Sequence, residues 1–170
     1  PSIEPFVITE LVKSDTIAYG YGAEDINMAD RETEERQVGK KHELGFEAPL
    51  YYLPEGFEIL DTTDKDDSEG VDHRILCRNG VIVTVDVKAS QELADKAIQE
   101  AEEFSYMSGH GGRLPKNKLI MFSGYTMDDF DPKNPWRPKP DAVERVYPAI
   151  EKALIEASGE EYTPAPIGVR

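Results

Sequence analysis

The sequence predicts an α+β domain: a two-layer mixed β-sheet with two helices packed on it and extended arms that leave the core. Three observations favour this class. An Asn79-Gly80 pair separates two β-rich runs, an amphipathic helix pattern follows the second run, and another apolar β-rich run follows that helix. A hairpin and a βαβ crossover then share one strand, which makes the sheet mixed. A chain of 170 residues is long enough for one domain with a sizeable core.

The N-terminal third divides into strands and a polar segment. Residues 6–21 hold two short β-prone runs with alternating apolar residues. Residues 23–47 are dominated by charge, and their apolar residues form no continuous helical stripe, so we expect a solvated helix or an arm held by a partner. Residues 49–60 contain Pro54 and Gly56, which is typical of an interrupted edge strand.

The hairpin is the clearest local signal. If the Asn-Gly pair forms a two-residue type I′ turn, strand 71–78 runs antiparallel to strand 81–87, and His73 lies directly opposite Asp86. In this register both faces of the hairpin carry apolar residues. We therefore expect the hairpin to lie inside a sheet that is covered on at least one side.

The crossover helix is predicted over residues 90–107. Ser90 fits its N-cap, and Gly109 stands where a left-handed C-terminal cap is wanted. A buried strand follows at 118–125, so residues 81–125 are predicted to form a βαβ unit.

The glycine-rich loop 108–118 could suggest phosphate binding. Phosphate-binding loops follow a strand and precede a helix, whereas this loop follows a helix and precedes a strand. A helix cap and flexible connector is therefore favoured, with a ligand contact from His110 or Arg113 as the alternative.

The C-terminal part combines a proline-rich segment with a helix. Residues 127–140 hold four prolines and are predicted to form a tethering loop with Trp136 as an anchor. A helix is expected over 140–158, with a kink or break at Pro148. The predicted organisation is a single domain 1–170, with its core at about 48–159 plus the strands in 6–21, and with arm-like segments at 23–47, 128–139 and 160–170.

The composition of the chain excludes several classes of function and partner. The chain has 34 acidic against 19 basic residues and a formal net charge of −15, so we expect no direct nucleic-acid binding. No stretch approaches the ~20 apolar residues of a membrane span, and no signal-peptide pattern is present, so we expect a soluble protein that binds no membrane. The start Pro1-Ser2 fits removal of an initiator methionine. The single cysteine, Cys77, excludes an intrachain disulfide and fits a reducing compartment.

Two arrangements could carry chemistry, and each has a favoured structural alternative. His73 opposite Asp86, with Cys77 nearby, resembles the base and orienting group of a catalytic site, but a cross-strand ion pair and a packing cysteine are favoured. The acidic run 61–72 could hold calcium, but its spacing does not fit the helix-loop-helix pattern, and a solvated loop is favoured. No catalytic residue, cofactor or metal is predicted.

Charge is segregated along the chain. Residues 55–72 hold eight acidic side chains and one lysine, whereas 108–118 and 133–139 each hold three cations and no acid. Such surfaces can dock on copies of the chain or on other proteins, and scattered surface charge is the structural alternative. The predicted subunit interface comprises Arg113, Lys116, Lys118, Lys133, Trp136, Arg137 and Lys139.

These features predict a non-enzymatic assembly subunit, and more narrowly an accessory protein of a tailed-bacteriophage head or neck that binds neighbours through its arms. Its partners would be copies of itself or other structural proteins, in the virion or in the cytoplasm during assembly. Two alternatives stay open. One is an enzyme or enzyme accessory subunit with a site around His73, Asp86 and Cys77, and the other is an acidic inhibitor that mimics nucleic acid.

Overall fold

The computed structural model describes residues 23–164, with side chains from residue 31 onward. This part of the chain forms a mixed four-stranded sheet, a second sheet of two short strands, and helices, so the predicted α+β class is confirmed. The strands expected in 6–21 and the tail residues 165–170 lie outside the described residues. Among the helices that are described, none is long and apolar enough to cross a membrane.

The helices and strands follow the predicted order, and further elements precede and follow the strands of the main sheet along the chain. They are α1 (Ala23–Leu50), β1 (Glu58–Leu60), α2 (Asp64–Ser68), β2 (His73–Leu76), β3 (Ile82–Lys88), α3 (Gln91–Met107), β4 (Lys118–Phe122), a 3-10 turn (Met127–Asp129), β5 (Phe130–Asp131), β6 (Asn134–Pro138) and α4 (Pro140–Ala157).

The main sheet has the strand order β1-β2-β3-β4. β2 is antiparallel to both of its neighbours, β1 and β3, and β3 and β4 are parallel, which confirms the βαβ unit. Ser90 caps α3, since its hydroxyl accepts the N–H of Leu93 at 3.1 Å. Gly109 has a φ of 78° just past the helix end, as a left-handed cap requires.

The hairpin between β2 and β3 has a different register from the predicted one. His73 lies opposite Val85, and Ile75 lies opposite Val83. The predicted pairing of His73 with Asp86 is therefore wrong by one residue. Because side chains alternate along a strand, this single step moves every side chain of β2 to the other face relative to β3.

The turn explains the shift. The N–H of Gly80 donates to the carbonyl of Cys77, and the N–H of Cys77 donates to the carbonyl of Val81, both at 2.9 Å. The loop thus holds three residues, and its last residue, Gly80, has a φ of 87°. This is the type I turn followed by a left-handed glycine, which accepts an Asn-Gly pair as readily as the two-residue turn does.

The observed register gathers the apolar residues on one face. Ile75, Cys77, Val83, Val85 and Val87 are all buried there and belong to one core cluster. Helices α1 and α4 cover this face and complete the cluster. The side chains that they contribute are Phe46 and Leu50 from α1 and Ala142, Val146, Ile150, Leu154 and Ala157 from α4.

The predicted arm 23–47 lies within α1, and its described second half packs on its own subunit. Thr33, His42 and Phe46 are buried. The solvated helix expected as one alternative is present, but the hydrophobic pattern did not predict its packing, because polar residues such as Thr33 and His42 are buried beside Phe46 and no continuous apolar stripe forms.

The predicted tether 128–139 also folds onto its own subunit. It holds β5 and β6, which pair in a small sheet, and β6 contacts α1. Phe130 reaches the core, and the ammonium of Lys41 lies 5.7 Å from the ring centroid of Trp136. The following helix α4 continues past Pro148 without the expected break, and the proline lies exposed on its surface.

Two glycines test the left-handed conformation in the turn. A Cβ added at Gly80 or at Gly39 in α1 would meet no atom within 4 Å, so the two sites differ only in backbone conformation. We expect Gly80→Ala to lower the free energy of unfolding by about 1–2 kcal/mol because of the left-handed φ. Gly39→Ala should raise it by about 0.5–1 kcal/mol. Urea unfolding measures both, and a neutral Gly80→Ala would contradict the left-handed conformation of Gly80.

Candidate functional site

A buried histidine-serine pair lies where β4 ends. The Nδ1 of His42 in α1 is 2.5 Å from the hydroxyl oxygen of Ser123, and both residues are almost fully buried. The Ser123 oxygen also accepts the N–H of Tyr125 at 3.2 Å. Desolvation lowers the pKa of His42, so its ring is mainly neutral at pH 7.

Ser123 lines a cavity of about 340 Å³ together with Gln91 and Arg145. The Arg145 guanidinium contacts both carboxylate oxygens of Asp129, at 3.0 and 2.5 Å, and this hydrogen bonding lowers the pKa of Asp129 to about 2. The cation at the cavity is thus paired within the chain. A serine beside a histidine is also found in nucleophilic catalytic sites. Here, however, both contacts of the Ser123 hydroxyl are with groups of the same chain. We assign the pair a structural role, which ties α1 to the end of β4.

This role has a measurable consequence. Ser123→Ala leaves the buried Nδ1 of His42 without this partner, and we expect a loss of about 1–3 kcal/mol in the free energy of unfolding. Ser108→Ala, at an exposed position, is the matched control and should change it by less than about 0.5 kcal/mol. Equal effects of the two substitutions in urea unfolding would contradict a stabilising contact between His42 and Ser123.

Cys77 is buried too deeply for the nucleophilic role considered from sequence. Its thiol is 2% exposed and lies 4.0 Å from the carbonyl oxygens of Ile75 and Leu154. Burial raises the pKa of the thiol to about 11, so the thiolate is scarce at pH 7.

The other candidate catalytic residues are separated from one another. His73 stacks on Phe46 with ring centroids 5.3 Å apart, and its Nε2 lies 2.9 Å from the carbonyl oxygen of Glu43. Asp86 faces the other side of the sheet, and His110 is exposed in the loop after α3. The structure therefore does not assemble the catalytic cluster that the sequence offered as an alternative.

The observed register instead places Asp72 beside Asp86. Asp72 accepts the N–H of Val87 at 2.8 Å, and its carboxyl group is close enough to that of Asp86 for each to affect the pKa of the other. Burial raises the pKa of Asp72 to about 6, and the nearby charges of Glu43 and Asp86 add to the increase. Burial raises the pKa of Asp86 as well. The correct hairpin register would have revealed this pair from sequence.

The carboxyl pair makes stability depend on pH. The pKa of Asp72 is higher in the folded than in the unfolded chain, so its stabilising contribution is full below about pH 4 and is lost as the pH rises through about 6. We expect Asp72→Asn to raise the free energy of unfolding by about 1–2 kcal/mol at pH 7.5 and to have almost no effect at pH 4. The exposed Asp61→Asn is the control. A difference between Asp72→Asn and wild type that does not vary with pH would contradict the assignment.

The acidic segment 61–72 is more ordered than the predicted loop. Thr63 and Asp66 form a capping box, in which each side chain accepts the other residue's N–H, and α2 follows. Across the described part of the chain, no set of three or more His, Cys, Asp or Glu side chains is placed to hold a metal ion.

The predicted interface residues fall into two separate groups. The first group lies in the loop before β4 and at the first residue of that strand. The second group lies in or beside β6, which follows β4 in the chain. The first group is Arg113, Lys116 and Lys118, and the second is Lys133, Trp136, Arg137 and Lys139.

Arg113 of the first group follows exposed apolar side chains that the sequence did not single out. Phe104, Tyr106 and Met107, at the C-terminal end of α3, are 73%, 76% and 84% exposed. The following loop folds back on this end, where the Ser105 hydroxyl donates to the carbonyl of Arg113 at 3.1 Å. The helical pattern placed Phe104 on the buried face. However, α3 is about 25 Å long and the five-residue strand β4 only about 17 Å, so the helix is longer than the strand beneath it.

Comparison with known proteins adds no family to this geometry. No protein-family model, curated protein or solved structure matches the chain. The function has to be inferred from the molecule's own surfaces.

Proposed function

We propose that the protein is a building block of a larger assembly and binds neighbouring subunits through the end of α3. We define the α3-end surface by Phe104, Tyr106, Met107, Arg113 and Lys116. The observation that carries the proposal is the exposure of the first three, which are large apolar side chains on the last turn of one helix, with Phe104 and Met107 three residues apart on the same side.

Such a surface is typical of protein-protein contacts. Aromatic residues, methionine and arginine are enriched in the centres of interfaces, and clustered exposed apolar residues on a soluble protein mark interaction sites. Full burial of a side chain such as Phe104 or Met107 contributes about 1.5–3 kcal/mol. Arg113 and Lys116 add cations that can select an acidic neighbour.

The partners we propose are copies of this chain or other structural proteins of the same assembly. The narrower setting is a virion, as an accessory protein of a tailed-phage head or neck, or the cytoplasm during assembly. The acidic composition of the chain supports this setting, since it disfavours direct contact with nucleic acid.

Light scattering coupled to size exclusion tests the assembly function. We expect the wild type to form a species heavier than the 19.0 kDa monomer. The double substitution Phe104→Ser, Met107→Ser should weaken association by about 30-fold or more, because central apolar contacts dominate interface energies.

The matched control is Met127→Ser, which removes an exposed methionine outside the α3-end surface. It should leave the mass unchanged. A wild type that stays monomeric at the highest soluble concentration would contradict self-assembly, and equal loss of association in both variants would contradict the α3-end surface as the contact.

A further inference from the structure

A long groove runs beside α4. Its volume is about 930 Å³, and its walls are largely aromatic, aliphatic and proline side chains. On one side lies the turn after α1, which contributes Tyr52, a residue that is 70% exposed. The opposite wall is α4 itself. Its main lining residues are Tyr52, Pro54, Val143, Tyr147, Pro148 and Ile155.

A few polar groups fix the floor of the groove. The Tyr147 hydroxyl hydrogen-bonds with the carboxylate of Glu151, and it lies 3.0 Å from the carbonyl oxygen of Tyr52. Glu144 adds a second carboxylate, and Arg78 is the cation of the lining. The guanidinium of Arg78 also lies 3.4 Å from the carboxylate of Glu160.

The chain itself leads into this groove. After α4, the side-chain amide of Asn79 donates to the carbonyl of Ser158 at 3.0 Å, and the ion pair of Arg78 with Glu160 follows. These contacts fix the direction of the chain beyond the helix. Thr163, three residues later, is part of the groove lining.

The residues that come next have the chemistry that the groove fits. The sequence from 164 to 170 is Pro-Ala-Pro-Ile-Gly-Val-Arg. Proline-rich segments bind aromatic-lined grooves well because their extended conformation is largely preset and little entropy is lost. Six extended residues span at most about 20 Å, which is within reach of a groove that Thr163 already lines. Ile167 and Val169 supply apolar side chains, and Arg170 supplies a cation for a groove with two carboxylates.

We propose that residues 165–170 bind in this groove of their own chain. The site takes an apolar, proline-containing peptide segment with a basic residue, and the ligand is supplied in cis. This inference does not depend on the assembly function, because the groove and the α3-end surface share no residue. It revises the predicted arm 160–170, which becomes an internal ligand.

Paramagnetic broadening measures the contact directly in the full chain. Gly168→Cys introduces a labelling site for a nitroxide, while the native Cys77, buried and with a raised pKa, should take no label. We expect the amide signals of Val143, Tyr147 and Ile155 to lose most of their intensity and that of Lys96 on α3 to keep it. Adding Tyr52→Ala should restore the groove signals. Tyr51→Ala, a neighbour that is 72% exposed and does not line the groove, should not.

A mixed sample separates this inference from assembly. It contains isotope-labelled wild type and unlabelled protein that carries the nitroxide, so that only contacts between copies cause broadening. We expect the groove signals to stay intact in this sample, whatever the mass found by light scattering. Broadening of groove signals only in the mixed sample would overturn the proposal and make the occupant a second copy's segment. Unchanged groove signals in both samples would overturn it outright.

Discussion

The turn at residues 78–80 determines how the rest of the molecule packs. It holds three residues, of which the last, Gly80, adopts a left-handed conformation, and this loop length goes with the observed pairing of β2 with β3. That pairing puts Ile75 and Cys77 beside the valines of β3, and it gives α1 and α4 one continuous apolar face to cover. A register shifted by one residue would place the β2 residues of the other face, including Arg74, against those helices. The polar pair of Asp72 and Asp86 is a further product of the same register.

Much of the main sheet could be predicted because its signals are local. Ser90 and Gly109 mark the ends of α3, and Pro140 stands at the first position of α4. The residues that determine each of these helix ends therefore lie within a few positions of it. The register could not be read from the turn, because Asn-Gly suits both loop lengths. It could have been chosen by asking which register leaves one face uniformly apolar, since only the observed one unites Ile75 with the valines.

The packing of α1 could not be predicted, since its contacts join distant parts of the chain. His42 meets Ser123 across 81 positions, and the hydroxyl of Tyr125 donates to the carbonyl of Gly45 at 2.8 Å across 80. A Cβ at Gly45 would lie 3.1 Å from the Tyr125 ring, so the close approach of this helix depends on a glycine. Hydrophobic periodicity detects neither a polar contact nor a small residue. The exposed end of α3 was missed for the opposite reason, because the periodic pattern continues beyond the strand that could cover it.

The α3-end surface and the groove beside α4 both lie toward the same end of the main sheet. In a βαβ unit the helix returns to the start of its strands, so the end of α3 lies near the turn between β2 and β3. Arg78 of that turn lines the groove and binds Glu160, while Asn79 holds Ser158.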